Sequence, residues 1–121
     1  MTLTKAKLLK AAKPRYETVD VEGFGKVGIR SVSRSQQSIR ESGLRDPATG
    51  EFIPEELARL DVYTLIDQLM ISEKESMFDD GDVETLMNAD AAVLAPLYMA
   101  VNEFNSRGAA KLGNRSGGSK G

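Results

Sequence analysis

The chain has 121 residues, the length of one ordinary domain, and 40% of them are apolar. It contains no Cys, His or Trp, which excludes a disulfide framework, thiolate or imidazole metal ligation, a cysteine nucleophile and any triad or pH switch built on imidazole. The formal net charge of −2 hides a partition: residues 1–45 hold ten Lys/Arg against four Asp/Glu, residues 46–105 two against fourteen, and residues 106–121 four against none.

No apolar run approaches the roughly 20 residues that a membrane-spanning helix needs, and the basic residues of MTLTKAKLLKAAK interrupt what would have to be the apolar stretch of a signal peptide. The expectation is a soluble, cytosolic protein that uses no membrane.

Residues 1–15 form a basic arm in which Leu3, Leu8 and Leu9 mix with Lys5, Lys7, Lys10 and Lys13 up to Pro14. At this length a helix is marginal unless it packs on something. From Tyr16 the period changes to two, with Val19, Val21, Val27 and Ile29 alternating with polar residues. Gly23-Phe24-Gly25 supplies the reversal, so a β-hairpin is predicted, 16–22 paired with 26–32. Ser33 or Ser35 caps a short helix ending near Gly43, and Asp46 to Gly50 reads as a loop. Pro54, Glu55 and Glu56 open a helix running to about Met70, with Leu57, Leu60, Val62, Leu65, Ile66 and Leu69 at helical spacing. A strand over 62–71 is the competing reading, because its β-branched residues fit that as well.

Residues 72–76 form a polar connector. Asp79 or Asp80 caps a short helix over 81–88, and a last helix from Asn88 or Asp90 buries Val93, Leu94, Leu97, Tyr98, Val101 and Phe104, with Pro96 inside it. Met70, Met77, Met87 and Met99 are expected to fill gaps in the core. Residues 106–121 are rich in Gly, Ser, Lys and Arg and read as a flexible tail. Residues 16–105 are thus one α+β domain: an N-terminal β-hairpin packed against three to four α-helices, with a disordered basic tail after it.

Candidate chemistry is sparse. Asp79, Asp80, Asp82 and Glu84 offer oxygen ligands, but Gly81 falls too early for a calcium loop, and helix capping accounts for the same residues. Gly23 to Gly28 lacks the frame of a phosphate loop and does not lead into a helix. Ser31, Ser33, Ser35 and Ser38 have no base at hand to activate them. No catalytic, cofactor or metal residues are assigned, and a binding protein is expected rather than an enzyme. The basic ends suit nucleic acid electrostatically, but few aromatics and an acidic middle argue against that role.

The run from Leu65 to Met87 resembles the tail assembly chaperones of long-tailed, siphovirus-like bacteriophages. An acidic connector leads to the apolar-Phe pair Met77-Phe78, then to the Asp-Val-x-x-Leu helix start at Asp82-Val83, and a last helix ends on Phe104-Asn105. The resemblance covers about residues 16–105, with Ser72 and Glu75 standing where many relatives carry Asp and Gly.

It implies a non-enzymatic assembly factor of the host cytoplasm. Such a factor binds the tape measure protein, helps recruit tail tube proteins and needs no cofactor. It also makes the tail a linker for a frameshifted longer form. A small structural head-tail or tail component is the alternative, and a nucleic-acid-associated regulator a remoter one. The candidate client or self-association surface comprises Leu65, Leu69, Met77, Phe78, Leu97, Tyr98, Met99 and Phe104. Those on the long helices compete with the core for the same apolar residues, so Met77, Phe78 and Met99 at the margins are the ones most available. Homo-oligomerisation through faces of opposite charge is a further expectation, and it would weaken with salt.

Overall fold

The structure, a computed structural model, describes residues 2–110. Thr4 caps α1 (Lys5–Ala11) by accepting from the Lys7 amide, and none of the seven residues is buried. β1 (Tyr16–Val21) and β2 (Gly25–Arg30) form the expected hairpin, in antiparallel register from Tyr16 opposite Arg30 to Val21 opposite Gly25. Its turn is closed by the Phe24 amide on the Val21 carbonyl at 2.9 Å. Gly23 and Gly25 take φ of 88° and 81°, a region that side chains with a Cβ avoid.

Ser33 caps α2 (Arg34–Gly43) through a reciprocal box with Gln36: the serine hydroxyl accepts from the Gln36 amide and the glutamine carbonyl accepts from the Ser33 amide. This is the helix the sequence predicts. The next one differs. In place of one helix over 55–70 there are α3 (Pro54–Leu57) and α4 (Leu60–Gln68), broken at Ala58 and Arg59. The chain then leaves the helix directly into β3 (Leu69–Ser72).

Both local readings of this stretch were half right. What decides the boundary is a distant partner, since Leu69 and Met70 pair with Ile29 and Gly28 of β2. The polar connector is likewise a tight turn into β4 (Glu75–Ser76), with the register shifting between Met70 and Ser72. The hairpin is therefore half of a four-stranded antiparallel sheet in the order β1-β2-β3-β4.

A single 3-10 turn, Asp80–Asp82, leads into α5 (Val83–Met87), and Asp90 starts α6 (Ala91–Ala110) by accepting from the Ala92 amide at 2.9 Å. α6 runs through Pro96 and on past Asn105, into residues that the sequence assigns to the tail. The reason is Arg15. Its guanidinium stacks 4.0 Å over the Phe104 ring, donates to the Phe104 carbonyl at 3.1 Å and lies against Gly108, where a Cβ would collide with it. Arg107 adds an ion pair to Glu17 at 3.0 Å. The rest of the expected tail, 111–121, lies outside the described residues.

One side of the sheet packs on the helices. Ile29 and Leu69 from the sheet, Leu65 from α4, and Val101 and Phe104 from α6 are fully buried and form the centre of the core. Of the methionines expected to fill the core only Met70 is buried; Met77, Met87 and Met99 are on the surface.

Candidate interaction groove

An open groove of about 780 Å³ runs between α2 and the stretch from Leu44 to Asp67. Ser31 and Val32, just after β2, and Asn102 and Asn105 of α6 contribute to its lining. Leu44 is buried within it, while Phe52, Leu57 and Leu60 are exposed along its wall.

Charges and amides set its shape. Arg40 reaches from α2 to α4 and grips both carboxylate oxygens of Asp67, at 3.1 Å from Nε and 2.7 Å from Nη2. The same Nη2 donates to Asp80 at 2.9 Å, and the guanidinium lies 4.4 Å over the Tyr63 ring. The bond to Asp67 raises the Arg40 pKa further above its ordinary value despite the opposing desolvation, so the arginine stays charged at any working pH. Tyr63 donates to Glu56 at 2.6 Å; that bond first, then burial, raises the tyrosine above its ordinary ionisation range. Arg59 carries the chain of charges on, to Glu56 at 3.3 Å and to Glu84 on α5 at 2.7 Å.

At the α6 end, Gln68 and Asn105 exchange amide hydrogen bonds of 2.9 and 3.1 Å. Gln68 also donates to the Arg30 carbonyl, which satisfies a buried polar side chain. On the opposite wall Arg45 stacks 3.9 Å over Phe52 and donates to the Gly50 carbonyl.

The eight candidate surface residues separate by burial. Leu65, Leu69 and Phe104 are fully buried and Leu97 nearly so, which corrects their place on the candidate surface: a partner would have to open the core to touch them. Phe78 and Tyr98 are half-buried against the core. Met77 and Met99 are exposed, Met99 to 71%, but neither lines the groove. The structure does not gather the eight into one patch.

The acidic cluster is built for capping. Asp79 accepts from the Gly81 amide at 2.8 Å and Asp82 accepts from the Asp79 amide at 2.9 Å, while Asp80 is held by Arg40. Among the described residues no group of three or more acidic side chains is gathered as a metal site, and no helix is long and apolar enough to cross a membrane.

The groove residues missed from the sequence left one legible trace. On an ideal helix at roughly 100° per residue, Leu57 and Leu60 fall well off the stripe of Val62, Leu65, Ile66 and Leu69, so an extended apolar face was really two faces. Arg40, Gln68 and Asn105 carried no comparable signal, because each acquires its role from a partner more than 25 residues away. Comparison of the chain with protein-family models, with curated proteins and with solved structures finds no match.

Proposed function

We propose that this protein is a non-enzymatic tail assembly chaperone of a long-tailed phage. In that role it binds the tape measure protein in the host cytoplasm and helps recruit tail tube subunits. The observation that carries the reading is the groove: an open channel with exposed Phe52, Leu57 and Leu60 on one wall and amides at one end. Such a lining suits an amphipathic helical client, whose apolar side meets the leucines while its polar edge meets Asn102 and Asn105. The motif resemblance over residues 16–105 supports the same class.

The test is coexpression with the tape measure protein of the same phage. The full chain is expected to co-purify with it and keep it soluble, and Leu57→Ser with Leu60→Ser to lower capture at least about tenfold, as loss of two buried apolar contacts implies. Purified virions are expected to lack the protein. Failure to capture the tape measure protein sinks the reading, and stable retention in virions replaces it with a structural tail component.

A further inference from the structure

The two helices that wall the groove are held very differently. α4 lines it with Leu60, Tyr63 and Asp67, while the other side of that helix is seated in the core. α2 lines it with Arg34, Gln37, Arg40 and Glu41 and buries none of its ten residues. These four fall on one side at helical spacing, so α2 turns a polar side to the exposed Phe52, Leu57 and Leu60. Apolar burial therefore does little to keep α2 in place.

A single side chain holds it instead. Among the described residues, Arg40 makes every hydrogen bond and ion pair that ties α2 to a part of the fold beyond residues 33–45. The side chain of Arg34 reaches only Gln37, and that of Glu41 only Arg45. The Arg40 guanidinium also roofs the Tyr63 ring, and that tyrosine is 8% exposed.

The chain on either side of α2 is anchored. Ser31 donates its amide to the Arg15 carbonyl at 2.9 Å, and its hydroxyl accepts from the Arg15 amide at 2.7 Å. Leu44 is buried, and its carbonyl accepts from the Ile53 amide at 2.8 Å. Val32 and Ser33 before α2 and Gly43 at its end lie between these anchors, at the element-terminal positions where hinges absorb a rotation.

We propose that α2 is a lid on the groove and Arg40 its latch. When the fork on Asp67 and Asp80 opens, the segment between Ser31 and Leu44 swings away and uncovers the Tyr63 ring. Leu60 lies one turn from Tyr63 on α4, so the open groove offers an aromatic floor continuous with its apolar wall. A ten-residue helix without packing is marginal, and the released segment frays as it opens. That opening serves to load an occupant rests on the groove being the binding site; the motion itself does not.

The experiment measures the distance between two spin labels on the full chain by pulsed electron resonance. The chain has no Cys, so Ile39→Cys on α2 and Ala95→Cys on α6 give the only labelled positions. Both residues are exposed, Ile39 to 73%, and neither lines the groove. The labelled chain is expected to show one narrow distance, the closed lid, with a small broad component. Arg40→Gln in that background is expected to raise the ratio of broad to narrow about five- to thirtyfold, as loss of a charged fork implies. Arg34→Gln, on the same wall but bonded only within α2, is expected to leave the ratio unchanged.

A distribution that Arg40→Gln leaves as in the labelled parent overturns the proposal, and so does one that Arg34→Gln broadens as much. Should circular dichroism show Arg40→Gln unfolded, Asp80→Ala takes its place, because it removes one exposed arm of the latch. It is expected to broaden the distribution by a smaller factor, and an unchanged distribution there overturns the proposal equally. Capture of the tape measure protein is read separately on the wild-type chain, so the client reading can fail while the lid stands, and the reverse.

Discussion

The two sides of α4 are held by different physics. Toward the sheet, Val62, Leu65 and Ile66 enter a dry core with Ile29, Leu69, Val101 and Phe104, where nearly all contact is apolar. Toward the groove, Tyr63 and Asp67 meet α2 and the turn before α5 through directed bonds: the Arg40 fork, the Tyr63 hydroxyl on Glu56 and the Arg59 bridge. The core side tolerates small shifts of any one partner, because many weak contacts share the load. The groove side depends on a few bonds, and α2 has no buried residue to hold it once they are gone. Stability therefore resides in one side and the shape of the binding surface in the other.

That division predicts a graded set of effects. Phe104→Ala, which empties the centre of the core, is expected to cost about 3–5 kcal/mol and to unfold both sides together in urea titration. Selective loss of the groove alone in that variant would break the comparison. Arg40→Ala is expected to cost about 1–2 kcal/mol, because hydrogen bonds to charged groups are worth more than neutral ones but this cluster is partly solvated. Its effect should be local: amide exchange accelerates across α2 while β2 keeps its protection. Ser33→Ala removes the capping box at the other end of α2 and is expected to cost about 1 kcal/mol with the same local signature.

The smallest effect is a pH dependence. Tyr63 ionises at higher pH in the folded chain than in the unfolded one, since the bond to Glu56 requires its proton. Its stabilisation is complete below the unfolded tyrosine value of about 10 and is lost as pH rises through the higher folded value. Thermal unfolding followed above pH 10 should therefore fall less steeply in Tyr63→Phe than in wild type. An unchanged slope would place the pH dependence elsewhere, with Tyr98, which burial also raises, as the first place to look.

Much of the fold was legible where the cause is local. Ser33, one of two serines expected to cap α2, does so and adds a box with Gln36; Gly23 and Gly25 make the expected turn; and Asp79, one of two expected caps, closes the 3-10 turn ahead of α5 rather than α5 itself. The α+β class follows from the same signals. The candidate site was much less legible. Leu65, Leu69, Leu97 and Phe104 have the composition of a client surface and of a core alike, and a linear pattern does not say which side of a helix faces inward. Met87 and Met99 sit at helical spacing and still point outward, because the core is already filled by branched and aromatic side chains.

By itself, then, the sequence determined the caps, the turn, the hairpin and the absence of imidazole and thiol chemistry, since these depend on residue type or on neighbours within a few positions. Only the tertiary structure decided that α4 ends at Gln68, that β3 joins the sheet, that α6 runs to Ala110 and that a groove lies beside α2. Each of these depends on a partner far along the chain: Ile29 for Leu69, Arg15 for the end of α6, and Asp67 for Arg40. Short-range preferences leave such choices balanced to within a kilocalorie or so per residue, and burial or a charged hydrogen bond tips them.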